Sequence, residues 1–260
     1  MIFRRFLSRL KQHQWGAILT ELVIVIIGVF IGMQVSNWNE ERETNRKAVV
    51  FTERLRTDLQ KEAWNYEYLV AYSRETNANQ RRVLDAMSGD AVLTDEQFVI
   101  SAYRATQSQF NDRFRATYDE LVSTGNIGLI ADQELRETAI VVFTTPLLDK
   151  IASEADGSEY RRLFRETVPA GVQEALLARC GDRFTAVLDY AGIKGSIDYP
   201  CTLGVPAEEI RAAAAALTTL PRLLPALRIR FADNQTALTD LQQANPTVLE
   251  SLRKIRDEKP

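Results

Sequence analysis

Glu21 is the titratable side chain in the least hospitable setting of this chain. It lies inside WGAILTELVIVIIGVFIGMQVSNW, the apolar run from Trp15 to Trp38. A carboxylate about 9 Å along a helix from Trp15 costs a few kcal/mol in hydrocarbon unless it is protonated, paired or able to reach the interface. Two roles fit it. Either Glu21 carries a proton or touches another membrane protein, or it lies near the inner interface beside water and basic groups. At about 100° per residue, Ala17, Glu21, Gly28 and Gly32 fall within about 40° of one meridian, giving a small and acidic helix face. Gly28 and Gly32 form G-x-x-x-G, a spacing that lets two helices approach closely in lipid and that also arises from composition alone.

The remaining chemistry-bearing residues are sparse. His13 is the single histidine and cannot complete a catalytic triad from the basic tail it occupies. No HExxH, GxSxG, phosphate-binding loop or pair of CxxC motifs occurs, and one histidine with two distant cysteines does not make a zinc site. No catalytic, cofactor-binding or metal-binding residue is therefore assigned, no cofactor is expected, and the chain is not expected to be an enzyme. Cys180 and Cys201 are the two cysteines. A bridge would close a loop of about twenty residues and contribute on the order of 3 kcal/mol in the chain-entropy picture. Two unpaired buried thiols are the other reading.

These residues need elements to hold them, and the first is a membrane span. Trp15 to Trp38 covers roughly 35 Å as a helix, enough to cross the hydrocarbon and seat both indoles among headgroups. A cleaved signal peptide fits poorly, because the apolar run is long and MQVSNWNEE lacks a small-x-small cleavage site. Arg4, Arg5, Arg9 and Lys11 precede the span, whereas Glu40, Glu41 and Glu43 follow it. That asymmetry favours a cytoplasmic N-terminus, although Arg42, Arg46, Lys47, Arg54 and Arg56 bring a strict count of basic residues near a tie. Residues 1–14 are then a cytoplasmic tail, 15–38 the span, 39–88 a long membrane-proximal helix and 89–260 an extracytoplasmic helical domain. In a bacterium this is an inner-membrane protein with a periplasmic domain. The 32 Lys and Arg face 35 Asp and Glu, and setting aside the four basic residues of the tail leaves 28, a balance of −7 that offers nucleic acid no basic surface.

Helix signals dominate the rest. No proline or glycine occurs from Asn39 to Met87, and Phe51, Leu55, Leu59, Tyr66, Leu69 and Val70 recur at helical spacing. The stripe fades over YSRETNANQRR, Tyr72 to Arg82, which reads as a solvated face or a break, and Ser88-Gly89-Asp90 ends the element. Thr94 to Gln97 has the form of a capping box. TYDELVSTGNIGLIADQELRETAIVVFTT reads as a helix to about Thr124, a Gly125 cap, an apolar loop through Ile127, Leu129 and Ile130, and a helix from about Asp132 that Pro146 ends or kinks. A further helix spans Ser158 to Arg179 with Pro169 interrupting it. The alanine-rich stretch at 207–220 is another, limited by Pro221 and Pro225. Leu224, Leu227, Phe231, Asn234, Leu238, Leu241, Asn245, Val248, Leu252 and Ile255 alternate by three and four, the pattern of a helix packed along a partner, with Asn245-Pro246 marking a second helix start. The fold class is all-α: a span continuing into a long helix, then a helical bundle.

Two segments resemble a family of uncharacterised bacterial single-span membrane proteins, best known from Bacteroidetes and catalogued as a domain of unknown function. In the first, LTELVIVIIGVFIGMQVSNWNE, the resemblance is carried by Glu21, Gly28, Gln34, Asn37, Trp38, Asn39 and Glu40. In the second it is carried by Leu121, Ser123, Gly125, Leu129, Ile130, Leu135 and Arg136. Together they cover about a fifth of the chain, and nothing beyond about Phe143 takes part. The resemblance implies the anchor and a helical domain and supplies no chemistry. The expectation is a non-enzymatic membrane protein whose helical domain serves interaction or assembly, with the lipid bilayer and a second copy or another membrane protein as partners. The alternative is a proton-channel or stator-type accessory subunit built on Glu21.

Overall fold

The structure is a computed structural model that describes residues 15–109, 112–146 and 157–257. Among them there are ten α-helices and no strand. They are α1 Trp15–Ser88, α2 Asp95–Ala105, α3 Ala116–Ser123, α4 Gln133–Thr144, α5 Glu159–Thr167, α6 Ala170–Cys180, α7 Gly192–Ile197, α8 Ala207–Thr219, α9 Leu223–Thr239 and α10 Pro246–Asp257. The chain divides into two compact units, Met1–Glu53 with Gly128–Ala131, and Arg54–Ile127 with Asp132–Pro260.

The local signals act where their chemistry places them. Thr94 Oγ1 accepts from the Gln97 N–H at 3.2 Å, and the Thr94 N–H donates to Gln97 Oε1 at 3.0 Å, so the box caps α2 reciprocally. Asp132 caps α4 by accepting the Leu135 N–H at 3.0 Å. Gly89 and Gly125 take φ of 84° and 71° just past α1 and α3, the left-handed turn that ends a helix and that a Cβ disfavours. Pro169 separates α5 from α6, and α4 stops at Thr144, two residues before Pro146.

The first unit holds the part of α1 that is long and apolar enough to cross a membrane. From Trp15 to Trp38 its large apolar side chains, apart from the half-buried Ile18, are 44% to 64% exposed. Glu43 and Lys47 pair one turn apart further along.

The second unit has a conventional core. Val83 of α1, Phe98, Val99 and Ala102 of α2, Tyr160 and Phe164 of α5, Leu176 of α6, Leu217 of α8 and Leu227 of α9 form one buried cluster. A second cluster is an aromatic ladder at every fourth residue of α1, Trp64, Tyr68 and Tyr72, closed by Ile193 and Ile197 of α7. The Trp64 and Tyr68 rings stack with centroids 5.2 Å apart.

Two sequence expectations are corrected here. The stretch Tyr72 to Arg82 is neither a solvated face nor a break, because α1 continues through it and Tyr72, Ser73, Thr76, Asn79 and Gln80 are buried. Hydrogen bonds accompany that burial: Tyr72 donates to Asp182 Oδ2 at 2.7 Å and Asn79 Nδ2 to Glu75 O at 2.9 Å. Asn234 Nδ2 donates to Ser73 O at 2.9 Å, and Gln80 Nε2 donates to Ala105 O at 3.3 Å. The three-four series near the C-terminus is also spent inside this chain. Leu227, Asn234, Leu241, Val248, Leu252 and Ile255 are all buried within the unit itself. The Asn245-Pro246 start is where expected, with a π turn, Asp240–Ala244, leading into it.

One buried charge is built into this unit. Glu62, fully buried, accepts from Arg113 Nε at 2.9 Å and from the Phe114 N–H at 2.5 Å, and Arg113 Nη2 donates to Val142 O at 3.2 Å. Glu62→Ala removes a buried carboxylate from both Arg113 and the Phe114 N–H, and we expect a loss of about 3–5 kcal/mol in urea unfolding of the detergent-solubilised protein. A loss below about 1 kcal/mol would show that water reaches Arg113.

Candidate functional site

Three places hold the residues singled out from sequence or gathered by the fold. The first is the span. Ala17, Glu21, Gly28 and Gly32 all lie on the exposed surface of α1. A Cβ at Gly28 or Gly32 would meet nothing within 4 Å, so that face is open to a second helix or to acyl chains. Thr20 satisfies its own hydroxyl by donating to Gly16 O at 2.8 Å.

The second is the cysteine-bracketed segment. Cys180, the last residue of α6, is joined to Cys201 by a disulfide, with Cα atoms 5.5 Å apart. The enclosed chain is pinned again by Tyr199, whose hydroxyl donates to Gly181 O and lies 3.3 Å from Arg179 O. The Arg183 guanidinium lies 3.5 Å over the Tyr199 ring, and Arg104 of α2 lies 5.0 Å from it while donating to Tyr199 O at 2.8 Å. The effect is to fix α7, which this segment carries, against the aromatic ladder of α1.

The third is a groove of about 740 Å3 along α1, walled by α7 and α10. Its floor is Ala63, Val70, Ala71 and Ala78, four short side chains along one face of α1, and its walls add Ile193, Ile197, Leu249 and Leu252. Charges line the rim. Arg256 binds Glu67, which neutralises both, and Glu75 accepts from Asn79 Nδ2 at 2.8 Å and lies 3.9 Å from Arg82. Arg74 meets the Gln242 amide, whose oxygen accepts from its Nε at 3.0 Å and Nη2 at 2.9 Å when the amide is turned to suit both groups. Burial, followed by the nearby Asp198 carboxylate, raises the Glu75 pKa above the ordinary carboxylate value of 4.5. No histidine, cysteine, serine or threonine lines the groove, and its polar groups are tyrosines, carboxylates, an amide and basic side chains. Among the described residues no group of three or more His, Cys, Asp and Glu side chains is arranged to hold a metal ion.

Sequence reasoning found the span face and the cysteines and missed the groove. Val70 was legible only as part of the apolar stripe of α1. The spacing of Ala63, Val70 or Ala71, and Ala78, about two helical turns apart, was the available signal. It says nothing until α7 and α10, more than a hundred residues later, leave that face uncovered.

The apolar exposed span, followed by a helix, a Ser-Gly turn and a second helix, is the arrangement on which a comparison with known families bears. Residues 21–146 match the Family of unknown function DUF6090. The DUF6090 region begins at Glu21 in the span and ends at Pro146, so it takes in α1 almost whole together with α2, α3 and α4. It supplies the floor of the groove, whereas the α7 and α10 walls lie outside it. No curated protein and no solved structure matches the chain.

The raised Glu75 pKa fixes the sign of a pH effect. A carboxyl that binds its proton more tightly folded than unfolded contributes stability that is present below the ordinary value of 4.5 and lost as pH rises through the raised value. Glu75→Gln cannot titrate. The stability of the natural protein relative to this variant should therefore fall as pH is raised from about 4 to about 7 in urea unfolding. A gap that stays constant or widens would contradict the assignment.

Proposed function

We propose that the protein is a non-enzymatic, single-pass bacterial inner-membrane protein whose helical domain is a periplasmic interaction and assembly module. The observation that carries this reading is the surface of α1 from Trp15 to Trp38, where every large apolar side chain but the half-buried Ile18 is at least 44% exposed. So continuous an apolar surface has no counterpart on a water-soluble protein and is matched by hydrocarbon of the same length. The α-helix satisfies its backbone groups internally, the condition for crossing lipid.

The direction of insertion rests on chemistry at both ends. Arg4, Arg5, Arg9 and Lys11 favour the cytoplasmic side for the short tail. The Cys180–Cys201 disulfide suits an oxidising compartment for the domain. Lipid is one partner. The Ala17, Glu21, Gly28 and Gly32 face offers contact to a second copy or to another membrane protein, and the groove offers a docking place on the domain. No observation favours the stator-type alternative, which needs a second intramembrane group opposite Glu21.

Topology labelling tests the core of the proposal. Because both natural cysteines are bridged, Ser8→Cys and Asp90→Cys variants can be probed with a membrane-impermeant maleimide on intact spheroplasts. Asp90→Cys should label directly and Ser8→Cys only after permeabilisation; the reverse pattern, or direct labelling of both, would reject the reading. In crosslinking from mild detergent, replacing Gly28 and Gly32 with Leu should reduce the recovered oligomer or membrane partner. Glu21→Gln should leave proton flux unchanged, and a fall in flux would bring the alternative back.

A further inference from the structure

The groove has more chemistry than an interaction module in general requires. Ala63 at one end of the floor is buried, and the accessible floor from Val70 to Ala78 runs about 12 Å along α1, a little over two helical turns. The floor positions are short enough for another helix axis to lie at the ordinary packing distance of about 8–10 Å. On both sides a helix already flanks the gap, α7 on one and α10 on the other, so the cleft has the form of a bundle with one member absent.

The rim charges select what fits there. Arg256 and Glu67 cancel, and Glu75 has Asn79 and Arg82 beside it. Of the other lining charges, Arg74, Lys194 and Arg253 carry no carboxylate partner among the described residues, against one such anion, Asp198. Arg74 has only a neutral amide. The uncommitted excess is cationic, and it lies above an apolar floor.

We infer that this groove docks an amphipathic helix from a partner protein, its small and apolar face on Val70, Ala71 and Ala78 and its flanking carboxylates on Arg74 and Arg253. The inference rests on reading the helical domain as an interaction module and names the chemistry of what that module takes. Helix-in-groove docking places apolar anchors at three and four residue steps, which sum to the seven residues between Ala71 and Ala78, and the arginines set orientation and on-rate by complementary charge. A lipid anion could reach the same arginines, but the groove has polar side chains along its whole length and no closed apolar pocket for an acyl chain.

The test uses full-length protein in detergent and two fluorescein-labelled synthetic helices of about 18 residues, with Ala and Leu on one face and flanked by Glu in one peptide and by Lys in the other. By fluorescence anisotropy the Glu peptide should bind at least about tenfold more tightly than the Lys peptide. Binding should weaken about tenfold in Arg74→Ala with Arg253→Ala, both exposed positions that leave the core intact, and should be lost in Ala71→Trp, which fills the floor. Unchanged thermal unfolding of the arginine variant keeps the result interpretable should Ala71→Trp fail to fold. Equal binding of both peptides, no binding, or Glu-peptide binding that survives the arginine variant would overturn the inference. So would tight binding of oleate with none of peptide, which would assign the groove to lipid. Because the peptide assay is independent of membrane insertion, failure here leaves the topology result standing, and failure of topology leaves the groove measurable.

Discussion

Glu62 sets the terms for the second unit. A fully buried carboxylate is tolerable only with charge and hydrogen bonds brought to it, and those come from Arg113 and the Phe114 N–H in the segment that joins α2 to α3. The same logic runs along α1. Asp58 accepts the Thr117 N–H at 3.2 Å, and Gln80 reaches Ala105 O. Arg230, itself buried, donates to Gln107 O at 3.0 Å. Segments without a helical ladder of their own need such partners for their backbone groups, and α1 with its neighbour α9 supplies them. The long helix is thereby the element on which the loops of this unit are hung.

That division of labour leaves one face of α1 free. Its polar face holds loops, its aromatic ladder holds α7, and its alanine-sized positions are left as the floor of the groove. The DUF6090 region and the remainder of the chain are joined twice over. The core cluster mixes Val83, Phe98 and Val99 with Tyr160, Phe164 and Leu217, and the groove takes its floor from one part and its walls from the other. Neither part closes its own apolar surface.

The disulfide acts on the same design. By tying Cys201 to the end of α6 and letting Arg104 and Arg183 clasp Tyr199, it steadies an otherwise irregular segment whose one short helix is a wall of the groove. A six-residue helix has little stability of its own, so its position comes from Ile193 and Ile197 packing on Trp64, Tyr68 and Tyr72.

Local chemistry was legible where local chemistry decides. A helix long and apolar enough to cross a membrane follows from the largely apolar run between two tryptophans, the α2 start from Thr94 and Gln97, the turns from Gly89 and Gly125, and the gap between α5 and α6 from Pro169, because each signal is local. Tyr72, Ser73, Thr76, Asn79 and Gln80 could not be read, since a polar residue looks solvated until a distant carbonyl or amide is known to meet it. The series ending at Ile255 showed that a helix packs against something, but periodicity does not distinguish a second chain from residues earlier in the same one. Only the tertiary structure decided that the partner is internal, that the cysteines meet, and that Val70, Ala71 and Ala78 remain partly exposed. Those outcomes depend on contacts between residues far apart in sequence, and no spacing along the chain encodes them.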